Sequence, residues 1–203
     1  MTAPFLKGLA FGFVLAAAVG PMWVLCLRRT LAYGLLAGLA SGMGIATADG
    51  LYGAVAAFGL TAIAGVLLRQ SLWLGLLGAA FLVYLGIRAL VAAPVVPDSG
   101  PGKPASIVTA FFSTLGLTLA NPPTILAFAA IFAGLGLGQH ANYSAASAVT
   151  LGVFLGSASW WLILAAVAGR LHGWLTPRFM RAINVVSGLV ILGFALWQLA
   201  RLV

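Results

Sequence analysis

The sequence is poor in acidic residues: Asp49 and Asp98 are the only two, and glutamate is absent. Cys26 is the only cysteine, which excludes an internal disulfide and a two-cysteine redox relay. The histidines, His140 and His172, stand apart in connections between apolar runs. There is no carboxylate pair, no Ser/His/Asp set within the apolar runs and no cluster of metal ligands. The sequence therefore predicts no enzyme, no metal site and no cofactor.

Charged residues of both signs are scarce. They make up 6% of the 203 residues, whereas 63% are hydrophobic. The net charge of +8 would suggest a nucleic-acid partner in a soluble domain. Here the basic residues stand almost singly between apolar runs, so they are interpreted as topology signals and no nucleic-acid partner is predicted. Several runs reach the roughly 20 residues that cross a bilayer, which predicts an integral membrane protein.

Six apolar spans are predicted. They cover about Phe5 to Cys26, Gly34 to Leu60, Leu72 to Val91, Ile107 to Gly134, Ala145 to Ala168 and Arg181 to Leu202. The first span is followed by two arginines rather than by a cleavage site, so it is expected to remain as a helix. The stretch from Ala93 to Ala105 is rich in Pro and Gly and has the composition of a linker. It divides the chain into two halves of three spans, residues 1–92 and 106–203.

The two halves share three landmarks in the same order. "AVGPMW" aligns with "LANPPT", "GMGIATADG" with "GVFLGSASW", and "LGIRAL" with "LGFALW". Because each half has an odd number of spans, the second half enters the membrane with the opposite orientation. The sequence therefore predicts an all-α membrane protein of two inverted three-helix repeats, an arrangement common among secondary transporters.

Basic residues are distributed unequally between the two sides of the predicted bundle. One side carries Arg28, Arg29, Arg88, Lys103, Arg170, Arg178 and Arg181, whereas the other carries Lys7, Arg69 and Arg201. The cytoplasmic side of a membrane protein is the richer in Lys and Arg. Both termini are therefore predicted to be extracytoplasmic, and the linker cytoplasmic.

Prolines interrupt the first and fourth spans at equivalent positions. Pro21 and Pro122 each leave a carbonyl of the preceding turn without its helix hydrogen bond. Freed carbonyls are tolerated at membrane depth where protein or a water-filled cavity satisfies them, and such breaks line substrate sites in transporters. The matched breaks therefore favour a binding site over two structural kinks. Its predicted residues are Gly20, Pro21, Thr118, Asn121 and Pro122, with two roles open for Asn121, substrate contact and capping of the broken helix.

Asp49 is the only carboxylate within a predicted span, because Asp98 lies in the linker. An ionised Asp at the centre of a span costs about 2.5 to 3.5 kcal/mol on insertion scales, so the side chain should face the bundle interior. Because burial favours the neutral acid, Asp49 is a candidate proton carrier. A contact with a substrate ammonium is the second functional interpretation. A position at a membrane interface, or a role in helix packing, is the alternative to both.

Small and aromatic residues suggest helix contacts. Gly34, Gly38 and Gly42 recur at a spacing of four and predict the close approach of a neighbouring helix. Trp160 and Trp161 could stack on a substrate ammonium. An aromatic interface belt or lipid-facing packing is the favoured interpretation of this pair.

Together these motifs resemble the LysE/RhtB family of amino-acid exporters. Members typically carry Pro-Gly-Pro in the first span, an Arg-rich turn and a Gly-rich second span that leads to an acidic residue, as in "VGPMWVLCLRRTLAYGLLAGLASGMGIATADG". "LGAAFLVYLGIRAL" resembles the family's third span, and "LANPPTILAFAAIF" its Asn-Pro motif in the fourth. Three departures stand out. Val19 replaces the first proline, Met22 replaces a polar residue found in many members, and Pro123 replaces the Lys or small residue that often follows Asn-Pro.

The resemblance implies export of amino acids or related small metabolites from a bacterial cytoplasm across the inner membrane, driven by proton antiport. Without the resemblance, the residues support only a small-solute transporter. The alternatives are an uncoupled channel or permease of the same fold, in which Asp49 selects cations, and a non-transporting membrane scaffold that binds partner helices through its Gly-rich faces. The identity of the solute and the choice between monomer and homodimer stay open.

Overall fold

The computed structural model of the chain describes residues 2–18, 20–58, 66, 69–93, 106–121, 124, 125, 127, 128, 143–171 and 176–200. Within these ranges there are seven helices: α1 Thr2–Ala17, α2 Pro21–Tyr33, α3 Leu35–Ala57, α4 Ser71–Val91, α5 Ile107–Leu119, α6 Tyr143–Leu171 and α7 Pro177–Ala200. The all-α prediction is confirmed. Several sequence-predicted features lie outside the described residues: the linker beyond Ala93, Pro122, Asp98 and both histidines.

Three of these helices, α4, α6 and α7, are long and apolar enough to cross a bilayer. Helices α1 and α2 together form a fourth candidate span, bent by 76° where they meet. Helix α3 has the length, at 23 residues, but is not among the helices that are apolar enough to count as candidate spans. Helix α5 has 13 residues, too few to span alone. The described residues thus provide three or four candidate spans, and the count of six stays a prediction.

The exterior of the bundle is apolar. Large side chains such as Val14, Leu36, Leu77, Val91 and Leu196 are exposed. The interior instead contains small residues and buried polar groups, among them Thr30, Ser41, Asp49, Thr114, Ser157, Asn184 and Gln198. A surface this apolar would be a liability in water and is suited to lipid.

The first predicted span is in fact two helices. Helix α2 begins at Pro21, where a proline is tolerated because the first helical N–H needs no partner within the helix. It continues to Tyr33, beyond Cys26, where the span was predicted to end. Arg28 and Arg29 therefore lie within α2 and are only 8% and 6% exposed. Their interpretation as residues of a solvent-facing connection is wrong.

A single glycine connects α2 to α3, which explains this error. Gly34 has a φ of 86°, in the left-handed region that favours glycine. Its N–H donates to the carbonyl oxygen of Thr30 at 2.9 Å and closes α2. Gly38 then packs so tightly on Thr30 that a Cβ at this position would collide with that side chain. Because one residue makes the turn, no polar connection separates the two helices, and the preceding arginines remain helical.

Helices α1 and α6 pack with their backbones nearly in contact. Gly8 and Gly12 of α1 lie on the backbones of Val149 and Val153, so the two helices run parallel. Gly156 of α6 lies in turn on the backbone of α1. Small residues on both surfaces are what allow membrane helices to approach this closely.

Helix α3 packs against both α6 and α5. Gly42 lies against Trp161, and Gly53, further along α3, lies against Val153, so α3 and α6 are antiparallel.

The α3–α5 contact runs in parallel. The Thr114 hydroxyl donates to the carbonyl oxygen of Ser41 at 2.8 Å, and the Tyr52 hydroxyl donates to that of Leu119 at 2.6 Å. Both donors are side chains of one helix that bond to the backbone of the other, and they lie at two levels of the contact. Helix α3 therefore joins α5 to α6.

Helices α4 and α7 cross at a pair of glycines. Gly86 and Gly188 each lie on the carbonyl oxygen of the other. Gly86 also packs against Leu192, and Gly188 against Leu90, so the contact is reciprocal and the helices are antiparallel. Helix α2 packs against α3, α6 and α7.

The close contact of α1 and α6 predicts that Gly156→Ala destabilises the protein. A Cβ at Gly156 would collide with the carbonyl oxygen of Leu9, so the backbones must separate, and overpacking of this kind costs about 1 to 3 kcal/mol. Gly193→Ala is the matched control, because a Cβ there meets nothing within 4 Å. Thermal unfolding in detergent should show a lower Tm for the first variant only. Equal Tm values would mean that α1 and α6 are not packed through this surface.

Candidate functional site

A cavity of about 220 Å³ lies where the junction of α1 and α2 meets the end of α5. Its lining consists of Leu15, Ala16, Ala18, Gly20, Pro21, Met22, Ile45, Asp49, Thr118, Asn121, Thr124, Trp161, Phe194, Trp197 and Gln198. Most of these residues are apolar or aromatic, with a few polar groups among them. This is the usual composition of a site for a small organic molecule.

The structure brings together five of the six residues that the sequence suggested for substrate binding. Gly20, Pro21, Asp49, Thr118 and Asn121 all line the cavity. The sixth, Pro122, lies outside the described residues. The five come from positions 20 to 121 of the sequence, so no local motif unites them. Their common location results from the fold, which brings the start of α2, helix α3 and the end of α5 to one cavity.

The start of α2 forms one wall of the cavity. Gly20 is the N-cap residue, has an extended backbone, and provides no side chain to cap the helix. Its carbonyl oxygen accepts the N–H of Val24 at 3.2 Å. The first N–H groups of an α-helix have no acceptor within the helix, and the helix dipole makes this end positive. The start of α2 therefore presents positive polarity to the cavity without carrying a charged side chain.

Asp49 occupies a second wall, on α3, and is 3% exposed. The Ser157 hydroxyl of α6 donates to Asp49 Oδ2 at 2.7 Å, and the Trp161 indole donates to Ser157 Oγ at 3.2 Å. An indole N–H can only donate, so Ser157 accepts from Trp161 and gives its own proton to Asp49. Oδ2 is thereby an acceptor, and because no second donor to Asp49 is seen in the described ranges, Oδ1 can exchange a proton or bind a cation.

Asn121 begins the helical turn that follows α5. Its carbonyl oxygen accepts the N–H groups of Thr124 and Ile125 at 3.0 and 3.1 Å. Its side-chain amide donates to Thr124 Oγ1 at 2.9 Å. The sequence left capping and substrate contact as equal interpretations of Asn121. The bonds to the next turn come from the backbone carbonyl and from the side-chain amide as donor, and neither is a side-chain cap; because the residue also lines the cavity, both interpretations stay open.

Thr118 differs from the other buried hydroxyl groups of this region. It is 2% exposed, and its Oγ1 has no hydrogen-bond partner among the described residues. By contrast, Thr114, one turn earlier on α5, donates to the Ser41 carbonyl. A buried polar atom left without a partner costs about 1 to 3 kcal/mol. Thr118 is therefore a polar group of the cavity wall that lacks a hydrogen-bond partner within the described part of the chain.

The favoured interpretation of the tryptophan pair, an aromatic belt or lipid-facing packing, is wrong for Trp161. Trp161 is buried, lines the cavity and donates to Ser157. The Trp160 ring packs edge-on against Phe13 of α1, with ring centroids 5.4 Å apart. Gly42 explains the burial of Trp161, because the absence of a side chain at Gly42 leaves room for the tryptophan.

The sequence did not identify Gln198 as a functional residue, although a polar side chain within an apolar span was a usable signal. Gln198 lines the cavity, and its Nε2 donates to the carbonyl oxygen of Gly75 at 2.7 Å, which ties α7 to α4. Phe194 and Trp197, also on α7, complete the aromatic part of the lining. Apolar residues of this kind carry no sequence signal that distinguishes them from ordinary packing residues.

The buried arginines connect α2 to its neighbours. Arg29 donates to the Ser41 and Ser113 hydroxyls at 3.1 and 2.9 Å and to a backbone carbonyl of α5 at 3.0 Å. Arg28 donates to Asn184 Oδ1 at 3.0 Å. These partners are neutral groups of α3, α5 and α7. The arginines therefore hold together several helices around α2, a role that their adjacent positions in the sequence did not suggest.

An apolar exterior, a bent helix pair and a small cavity with a few polar groups at the bend are the features of a membrane protein that transports small solutes. Comparison with known proteins agrees. The LysE type translocator family matches residues 13–201, and the chain belongs to this family. It is therefore a multi-pass bacterial membrane translocator and not an enzyme, and the family resemblance of its motifs is confirmed.

Its relatives include two proteins named as arginine exporters. The arginine exporter protein ArgO of Pectobacterium carotovorum is 32% identical over 213 residues, covering 99% of this chain and 98% of its own. ArgO of Pectobacterium atrosepticum is 30% identical over 210 residues, with the same coverage of 99% and 98%. The "Putative amino acid efflux protein YcgF" of Bacillus subtilis is 29% identical over 199 residues, or 95% of this chain and 93% of its own. No solved structure gives a significant match.

Proposed function

We propose that this protein exports an amino acid from the cytoplasm in exchange for a proton, and that Asp49 binds the two in turn. The observation that carries the proposal is a lone buried carboxylate in the wall of the cavity at the helix break. The names of the relatives support an amino acid as the solute and make L-arginine the first substrate to test. Residues Gly20, Pro21, Thr118, Asn121 and Pro122 complete the proposed binding site.

Competition for one oxygen of Asp49 is enough to couple amino-acid export to proton entry. Oδ1 of Asp49 holds either a proton or the ammonium group of the substrate, since Oδ2 is occupied by Ser157. On the cytoplasmic side the carboxyl group releases its proton to water and the carboxylate binds the substrate. On the outer side a proton takes the place of the ammonium group. An ionised carboxylate with neither partner is unfavourable in this buried site, so the empty carrier should not change conformation.

One proton supplies a useful driving force. For a solute of zero net charge, the exchange moves one elementary charge across about 100 mV, which is worth roughly 2.3 kcal/mol or close to a fifty-fold concentration ratio. Exchange of cationic L-arginine for one proton moves no net charge, so the pH gradient alone drives it. A single titrating carboxylate therefore suffices for uphill export. An uncoupled channel would need no group that alternates between two ligands.

The packing of the helices supports the inverted repeat. With α1–α2, α3 and α4 as the first three spans, and α5 with the segment after it, α6 and α7 as the last three, the equivalent helices α3 and α6 are antiparallel. Repeats of equal orientation would make them parallel. A two-fold axis in the membrane plane would also map the parallel contact of α1 with α6 onto the parallel contact of α5 with α3.

The crossing of α4 and α7 supports the same axis. Gly86 and Gly188 make the same contact with each other, and Leu90 and Leu192 are exchanged in the same way. A two-fold axis through this crossing relates Gly86 to Gly188. The alignment of "LGIRAL" with "LGFALW" had paired Gly86 with Gly193. The proposed axis instead pairs Gly86 with Gly188, five positions earlier.

Asp49→Asn tests the coupling. This substitution keeps the size of the side chain and removes its titration, so we expect uphill efflux to be lost while some downhill exchange at equal pH remains. The assay uses proteoliposomes loaded with the labelled amino acid that leaves expressing cells fastest, starting with L-arginine. Asp98→Asn, in the predicted linker, is the matched control and should transport normally. An Asp49→Asn protein that still concentrates solute and responds to a pH gradient would exclude Asp49 as the coupling residue.

Ser157→Ala tests the hydrogen bond to the carboxylate. Without the Ser157 donor the protonated acid is favoured, so the pH at which efflux is half-maximal should rise by about one unit. Ser159→Ala is the control on the same helix, because the Ser159 hydroxyl donates to the carbonyl of Leu155 instead. Efflux is measured over a range of internal pH values with the gradient held constant. Identical pH profiles for the two variants would show that Ser157 does not act through Asp49.

Reporter fusions test the orientation. Without the two buried arginines, the predicted cytoplasmic side retains Arg88, Lys103, Arg170, Arg178 and Arg181, against Lys7, Arg69 and Arg201 on the other side. The bias is smaller but has the same sign, so we expect a cytoplasmic linker and extracytoplasmic termini. Alkaline phosphatase should be active when fused at the C-terminus and inactive when fused after Ala93. The reverse pattern would invert the topology.

A further inference from the structure

The wall of the cavity contains no lysine or arginine among the described residues. An α-amino acid carries a carboxylate as well as an ammonium group, and Asp49 can attract only the ammonium. The carboxylate must therefore be bound by neutral hydrogen-bond donors, or remain unpaired in a buried site at high cost. Donors suited to this role are present in the lining at the start of α2 and at the end of α5.

The first donors are backbone N–H groups. The start of α2 has no side-chain cap, its N-cap residue is a glycine, and Gly20, Pro21 and Met22 line the cavity. The N–H groups of Met22 and Trp23 belong to the first turn, which has no acceptors within the helix. A carboxylate at this end is favoured by these N–H groups and by the helix dipole.

A second, independent observation comes from Thr118. Its hydroxyl is buried, belongs to the lining and has no hydrogen-bond partner among the described residues. Thr124 is also in the lining, and its Oγ1 already accepts from the Asn121 amide, so its hydroxyl proton is left for a further acceptor. Two hydroxyl groups beside an uncapped helix start provide the donors that a carboxylate requires.

We propose that the carboxylate of the substrate binds at the start of α2, where it accepts hydrogen bonds from the Met22 and Trp23 N–H groups and from the Thr118 hydroxyl. This assignment rests on the proposed function, because it requires that the solute be an amino acid. It orients the substrate, with the carboxylate toward α2 and α5 and the ammonium group toward Asp49. The site thereby selects α-amino acids over the amines that lack the carboxylate.

The test compares amino acids with their decarboxylated amines. The probes are L-arginine, L-leucine and L-phenylalanine, paired with agmatine, isoamylamine and phenethylamine. Binding of each probe is measured on the purified protein in nanodiscs. The variant is Thr118→Val, which keeps the shape of the side chain and removes the hydroxyl. Thr118→Ser restores the hydroxyl, and Thr109→Val, on the exposed surface of the same helix, is the matched control.

We expect Thr118→Val to weaken binding of the amino acid about tenfold, the effect of losing one hydrogen bond to a charged group, and to leave binding of the matching amine unchanged. Thr118→Ser and Thr109→Val should retain the preference for the amino acid. Equal weakening of amino acid and amine, or no change in either, would overturn the carboxylate assignment. Binding of amines but not amino acids by the unaltered protein would overturn it as well and leave an amine exporter. Binding of neither class would instead refute the proposed function itself.

Discussion

Polar groups inside this protein must be satisfied by the protein or by the contents of a cavity, because the lipid offers no hydrogen bonds to an unpaired group. A helix break at membrane depth is therefore stable only if other helices enclose it. Here the enclosure depends on glycine: Gly8 and Gly12 let α1 approach α6, and Gly42 leaves room for Trp161. The cavity at the break is the space that these close contacts leave between them.

The same constraint explains the buried arginines. Arg28 and Arg29 could not lie unpaired in an apolar interior, and each has partners on neighbouring helices, Asn184 for the first and Ser41 and Ser113 for the second. Because an arginine has five donors in a planar fork, one side chain can bond to several helices at once. Helix α2 is thus attached to the bundle near its C-terminal end, while its N-terminal end borders the cavity.

The sequence predicted most of the helices and five residues of the cavity lining. Apolar runs located the helices, and two prolines with one aspartate indicated residues that the structure brings to one cavity. Polar and helix-breaking residues are informative because they are unfavourable in membrane spans. The errors concern features that composition does not specify: where a helix ends, and which side chain has room to pack between helices. Gly34 turns the chain alone, so α2 keeps Arg28 and Arg29, and the place of Trp161 depends on a glycine of another helix.

The arrangement of the cavity suggests how one small site can couple two fluxes. Asp49 on α3 is held by a hydroxyl of α6, whereas Thr118 and the start of α2 belong to other elements. A zwitterion long enough to contact both walls would draw them together, while a proton on Asp49 would neutralise one wall without reaching the other. The two ligands would then stabilise different separations of the same walls. A ligand can shift a conformational equilibrium only through such a difference in its contacts with the two states.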